Sequence, residues 1–134
     1  MRAARGLFAG ATLAAAASLV ACAAPSAATA PRSFDELQVT SRGQDDGGAF
    51  CADFALTPSQ ARTFLARAVA VDAMTLHDRY DLLPCWVRGT ARDARGSWRW
   101  EIRAGGTARL ESPTGDVVLL ACDGCDELLG GRKR

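Results

Sequence analysis

The sequence predicts an α+β domain: an antiparallel β-meander sheet with one main α-helix packed on one face, stapled by disulfides. Three observations support this class. A capped amphipathic helix begins at Pro58, apolar and polar residues alternate through much of the second half, and four cysteines lie in the same region. A helical part followed by a run of strands is typical of α+β folds. We expect a single domain over residues 33–129, which is an ordinary domain length.

The main helix has the clearest local signal. Thr57 can accept a hydrogen bond from the amide of Gln60, whose side chain can reach back to the Thr57 amide. Pro58 takes the first helical position, where its missing N–H is not needed. Apolar residues then recur at helical spacing and predict a stripe that packs on a sheet. They are Ala61, Phe64, Leu65, Ala68 and Val69. Asp72 can cap one or two further turns before residue 83.

Two strands are predicted before this helix. Leu37 and Val39 alternate with polar residues, and a polar, glycine-rich loop follows over residues 42–48. A second alternation predicts a half-buried strand with Cys51 and Asp53 on its opposite face. Its apolar members are Phe50, Ala52, Phe54 and Leu56. Together the two strands can form a hairpin.

Four more strands are predicted over residues 85–91, 98–103, 107–111 and 117–121, with turn signals between them. Gly105-Gly106 is a two-residue hairpin signal, because both glycines accept positive φ. The second of these strands alternates strictly, which predicts one row in the core and one row on an outer face. The inner row is Trp98, Trp100 and Ile102, and the outer row is Arg99, Glu101 and Arg103. The outer row indicates a solvated face or a docking surface.

Residues 1–21 have the features of a secretory signal peptide. Arg2 and Arg5 precede an uncharged, mostly apolar stretch over residues 7–20. This stretch is shorter than the ~20 residues that a transmembrane helix needs. A basic start followed by a short apolar run is typical of exported proteins.

The segment ends with Leu19-Val20-Ala21, and Cys22 follows directly. They resemble the lipobox of bacterial lipoproteins. The resemblance implies that the peptide is cut before Cys22, that the Cys22 thiol carries a diacylglyceryl group, and that the new amino group is acylated, typically by palmitate. Two or more acyl chains suffice for stable membrane attachment. Ordinary secretion, with cleavage after Ala23, Ala24 or Ala30, is the alternative.

Residues 22–32 are predicted to form the lipidated cysteine and a flexible tether, since residues 23–31 contain only Ala, Pro, Ser and Thr. The resemblance also implies the periplasmic face of the outer membrane, because Ala23 stands where inner-membrane lipoproteins carry a retaining aspartate. Residues 130–134 are expected to be a disordered basic tail. The chain has 16 basic and 15 acidic residues. Without a strong positive field, nucleic acid is not an expected partner.

The domain holds four further cysteines, which an exported protein is expected to pair as disulfides. They are Cys51, Cys85, Cys122 and Cys125. The sequence leaves all three pairings open. Cys122-Asp123-Gly124-Cys125 is also a C-x-x-C motif, and a thiol–disulfide exchange centre is the alternative functional interpretation. Its acidic neighbours and the short stretch that follows it favour a structural bridge.

Two other kinds of site have simpler interpretations. A zinc site of four cysteines is disfavoured, because only one C-x-x-C pair exists. His77 is the single histidine, so every Ser-His or Cys-His mechanism would pass through it. A helix cap or a surface contact is the simpler role for His77. Trp86, Trp98 and Trp100 would be stacking platforms if exposed, but the alternation predicts that the last two lie in the core.

These observations predict a lipoprotein that is not an enzyme and that binds no cofactor or metal. We expect a binding or envelope-structural module, such as an inhibitor or an immunity-type protein. Its anchor would be the lipid on Cys22, and its partner a protein that the sequence does not identify. The alternative is a periplasmic redox protein that uses Cys122 and Cys125.

Overall fold

The structure is a computed structural model that describes residues 10, 32–46 and 49–130, with the backbone alone at 49 and 50. In these residues the chain forms six strands, two α-helices and one 3-10 helix. The elements are β1 (Glu36–Gln44), the 3-10 helix (Ala49–Asp53), α1 (Pro58–Arg67), β2 (Val69–Ala70), α2 (Ala73–Arg79), β3 (Cys85–Asp93), β4 (Gly96–Arg103), β5 (Thr107–Glu111) and β6 (Val117–Ala121).

Several predictions from the chain ends fall outside this range. The lipobox with Cys22, the tether over residues 23–31 and all but the first residue of the basic tail lie outside the described residues. Among the helices that are described, none is long and apolar enough to cross a membrane.

The strands form one antiparallel sheet in the order β1-β3-β4-β5-β6-β2. The predicted four-strand meander is its centre, β3 to β6. The N-terminal strand pairs with β3, and the two-residue β2 pairs with β6. The α+β class is therefore confirmed, with a sheet that is two strands wider than the meander.

The strand predicted over residues 50–56 is wrong, and so is its hairpin with β1. Residues 49–53 form the 3-10 helix, and the chain then runs without regular structure to Thr57. Cys51 and Phe54 are both buried, whereas Ala52 and Asp53 are exposed. A spacing of three residues fits a 3-10 turn, and Cys51 points inward because it is bonded to Cys85.

The cap predicted for α1 is confirmed. The Gln60 amide donates to Thr57 Oγ1 at 3.1 Å, and the Thr57 amide donates to Gln60 Oε1 at 2.9 Å. The helix buries Ala61, Phe64 and Leu65 completely. The stripe ends earlier than expected, because the helix stops at Arg67 and Val69 becomes an exposed residue of β2.

The second helix also begins where its capping residue predicts. Asp72 accepts a hydrogen bond from the Thr75 amide at 2.7 Å, and α2 follows over Ala73–Arg79. This helix packs against β6, at the edge of the sheet away from β1. None of its residues is fully buried, so the helix covers this edge only in part.

The inner face of the sheet forms the core. The predicted inner row of β4 is buried, with Trp98, Trp100 and Ile102 each 5% exposed or less. Trp98 makes an edge contact with Phe34, whose ring centroid is 6.1 Å away. These side chains and the buried stripe of α1 belong to one hydrophobic cluster.

The turn between β4 and β5 differs from the predicted two-residue hairpin. Residues 104–106 form the loop, and only Gly106 has a positive φ, of 90°. Gly105 is needed for a different reason. A Cβ on Gly105 would lie 1.9 Å from the carbonyl oxygen of Asp81, so the loop before β3 passes directly over it.

Candidate functional site

The four cysteines of the domain form two disulfides. Cys51 is bonded to Cys85, which ties the 3-10 helix to the start of β3, and Cys122 is bonded to Cys125 in the loop after β6. The other two pairings are therefore not used. Every thiol of the described domain is consumed by a structural bridge.

The C-x-x-C bridge lacks the surroundings of an exchange centre. Cys125 is fully buried and Cys122 is 7% exposed. Residues 126–130 form turns, so within the described residues no helix begins directly after Cys125. The carboxylate of Asp123 accepts a hydrogen bond from Tyr80 at 3.0 Å, and this bond raises the pKa of Tyr80. Low exposure and acidic neighbours favour a structural role over thiol exchange.

His77 lies on α2 in open solvent. Its side chain is 77% exposed, and its Nδ1 lies 3.1 Å from a carboxylate oxygen of Asp78, the next residue. An exposed imidazole beside one exposed carboxylate is a surface contact. Within residues 32–46 and 49–130, no group of three or more His, Cys, Asp or Glu side chains is arranged to hold a metal ion.

The outer face of the sheet, opposite the core, carries a set of cross-strand ion pairs that we call the arginine ladder. Its members come from β3, β4 and β5, and they are Arg88, Arg99, Glu101, Arg103, Arg109 and Glu111. The strand register places the charges opposite one another: Arg88 faces Glu101 across β3 and β4, and Arg99 faces Glu111 across β4 and β5. Opposite charges in such positions stabilise a sheet.

Each glutamate of the ladder is held by two arginines. Glu101 lies 2.8 Å from Arg88 Nε and 2.8 Å from Arg103 Nε. Glu111 pairs with Arg99 and, at 3.2 Å, with Arg109. The hydrogen bond from Arg99 holds the pKa of Glu111 below its ordinary value. The Glu111 carboxylate therefore stays charged at neutral pH.

One arginine extends this network to the loop after β1. Arg103 Nη1 donates to Asp45 Oδ2 at 2.6 Å and to the carbonyl oxygen of Leu83 at 3.2 Å. The hydrogen bond from Arg103 lowers the pKa of Asp45. Arg103 is only 23% exposed, so it connects three segments beneath the surface.

The ladder presents its positive groups to solvent. The side chains of Arg88, Arg99 and Arg109 are 48%, 74% and 53% exposed. Those of Glu101 and Glu111 are only 18% and 19% exposed. A molecule that approaches this face meets guanidinium groups first. The described part of the chain has 15 acidic residues and 11 arginines, whereas the ladder has four arginines and two glutamates, so the ladder has the opposite charge balance.

A cleft of about 220 Å³ lies on the outer face, between the end of the ladder and α2. Leu76 of α2, Leu82 of the following loop and Leu119 of β6 form its apolar side. Arg103 and Arg109 belong to its charged side. The remaining lining residues are Glu101, Thr107 and Ala108. The cleft thus joins an apolar wall to the ladder.

Trp86 is the one tryptophan outside the core. The guanidinium of Arg88 lies 3.8 Å from its ring centroid, a cation–π contact. The ring also packs closely on Gly43, where an added Cβ would lie 2.5 Å from it. These two contacts cover part of the ring surface that a sugar would need.

A second cleft, of about 230 Å³, lies at the opposite end of the outer face. It is lined by Glu36, Gln38, Thr90, Ala91, Arg92 and Ser97. Its lining includes no large apolar side chain, so it offers no anchor pocket for a partner residue.

No protein family model, no curated protein and no solved structure matches the chain.

Sequence reasoning identified the outer row of β4 but not the cleft beside it. The alternation of Arg99, Glu101 and Arg103 marked that face as charged. The cleft requires α2 to lie over β6, and the lining residues span positions 76 to 119. No local pattern brings these residues together.

Proposed function

We propose that this protein is a lipoprotein of the bacterial cell envelope, anchored through Cys22, whose domain acts by binding another protein rather than by catalysis. The favoured location is the periplasmic face of the outer membrane. The observation that carries the proposal is the use of the cysteines. The four in the domain pair with one another, which suits an oxidising compartment and leaves Cys22, within its lipobox-like motif, to the lipid.

The binding role is supported by the outer face. Its exposed guanidinium groups and adjoining apolar cleft combine the charged and apolar contacts that protein interfaces use. An inhibitor or immunity-type protein, or a subunit of an envelope assembly, would act through such a surface. The buried C-x-x-C bridge gives no comparable support to the redox alternative.

The anchor is tested by growing cells with labelled palmitate and by determining the mass of the mature N-terminus. We expect the wild-type chain to carry the label and to begin at Cys22, and we expect Cys22→Ser to lose both. Ser26→Ala, in the tether, is the matched control and should keep both. An unlabelled wild-type protein that begins after Ala23, Ala24 or Ala30 would contradict the anchor. Fractionation alone is insufficient, since an uncleaved signal peptide also retains a protein in the membrane.

A further inference from the structure

The geometry points to a specific partner chemistry for the outer face. We propose that the cleft between α2 and the arginine ladder receives one leucine-like side chain of a partner protein, from a segment whose neighbouring residues are acidic. This inference deepens the binding role proposed above and rests on it. Two features of the cleft support it: the apolar wall and the charges around it.

The apolar wall is incompletely covered in the free domain. Leu82 is 51% exposed, and Leu76 and Leu119 are half-buried. A volume of about 220 Å³ can accommodate a single aliphatic side chain, with room left for neighbouring backbone atoms. Covering these three leucines would remove apolar surface from water, which stabilises a complex by roughly 25 cal/mol for each Å² buried.

The charges around the cleft favour an acidic flank. Arg109 lines the cleft, and Arg99 lies on the neighbouring strand. More than half of each side chain is exposed, while Glu111, which pairs with both, lies beneath them. Each guanidinium has five N–H donors, and these pairs use only part of them. A carboxylate of a partner can therefore bind Arg109 without displacing Glu111. A basic flank would instead meet like charge.

The experiment uses the mature, full-length protein in detergent and a fluorescein-labelled peptide in which two aspartates flank a leucine on each side. Fluorescence anisotropy measures binding. We expect saturable binding that weakens with added salt, and at least about tenfold weaker binding when alanine replaces the leucine or lysines replace the aspartates. Arg109→Glu should weaken binding by about tenfold or more. Arg67→Glu, a charge reversal at an exposed position of α1, should change the affinity by less than about twofold.

Other results would overturn the proposal. They are no binding of the acidic peptide, equal binding of the alanine peptide, and equal effects of Arg109→Glu and Arg67→Glu. A dimer that dissociates in the Arg109→Glu variant would identify a second copy as the occupant and would also overturn it. Circular dichroism confirms that each variant is folded. Palmitate labelling is independent of this assay, so failure of the anchor and failure of the cleft are distinguishable.

Discussion

Gly89, in the middle of β3, shows how a single residue depends on its distant neighbours. A Cβ at this position would lie 1.9 Å from the carbonyl oxygen of Gln38 on β1 and 2.2 Å from Cζ2 of Trp100 on β4. Trp100 crosses over Gly89, and its Nε1 donates to the carbonyl oxygen of Thr90 at 3.1 Å. The absence of a side chain at Gly89 thus leaves the space that the ring of Trp100 occupies.

We therefore expect Gly89→Ala to lower the free energy of unfolding by about 1–3 kcal/mol, the usual cost of overpacking a core. Urea unfolding followed by tryptophan fluorescence measures this change. Thr90→Ala, at the exposed neighbouring position, is the matched control and should alter stability by no more than about 0.5 kcal/mol. Equal stability of the two variants would show that β1 and Trp100 can move aside at little cost.

The sequence identified the inward position of Trp98, Trp100 and Ile102, because alternation along one strand is a local property. It did not identify the requirement for glycine at position 89. That requirement arises from Gln38 on β1 and Trp100 on β4, which are 51 and 11 residues away from Gly89 in the sequence. Residue-scale prediction succeeds where the deciding neighbours lie in the same element.

At the scale of elements, α1 is the part that the sequence specifies most completely. Its capping box uses two side chains three residues apart, and its apolar stripe repeats within ten residues. Both signals are contained within the helix. The helix consequently forms where it was predicted, and only its C-terminal end is shorter than the stripe suggested.

The capping box provides a test at this scale. Thr57→Ala removes the acceptor for the Gln60 amide and is expected to cost about 0.5–2 kcal/mol of stability, whereas Thr57→Ser keeps the hydroxyl and most of that stability. Thermal unfolding followed at 222 nm compares the two variants. If serine is as damaging as alanine, the methyl group of Thr57, and not the hydrogen bond, supports the helix.

The segment over residues 50–56 shows why short apolar patterns mislead. Alternation suggested a strand, but the buried residues are Cys51, Phe54 and Leu56, and the first two are spaced by three. A run of seven residues contains too few periods to separate a strand from a helical turn. The bond from Cys51 to Cys85 selects the inward-facing residue, and this partner lies 34 residues away.

For the molecule as a whole, the two disulfides are expected to differ in their effect on stability. A bridge over 34 residues constrains the unfolded chain far more than one over three. In the loop-entropy model the Cys51–Cys85 bridge contributes about 3–4 kcal/mol and the Cys122–Cys125 bridge about 1–2 kcal/mol. The variant pairs C51S/C85S and C122S/C125S, compared in urea unfolding, test this order. A larger loss from C122S/C125S would show that the short bridge holds the last turn in place.

Stability is also expected to fall in acid. Hydrogen bonds from Arg103, from the Thr75 amide and from Arg99 lower the folded-state pKa values of Asp45, Asp72 and Glu111 below their ordinary values of 3.8, 3.8 and 4.5. A lowered folded pKa stabilises the fold above the unfolded pKa, and this contribution is lost as the pH falls through the folded pKa.

The thermal midpoint should therefore be steady above about pH 5 and should fall between about pH 5 and pH 2. Glu111→Gln should reduce the size of that fall, because one of the titrating groups is absent. A midpoint that stays constant down to about pH 2 would mean that these carboxylates interact equally strongly in the unfolded chain.

The sequence by itself determined the α+β class, the capped helices, the central four-strand meander and the inward row of β4. All of these follow from periodicity, caps and turns that act within a few residues. Only the tertiary structure decided the cysteine pairing, the addition of β1 and β2 to the sheet, and the cleft beside the ladder. These features depend on which distant segments bury their apolar surface against each other. The pattern within one segment does not identify the segment on which it packs.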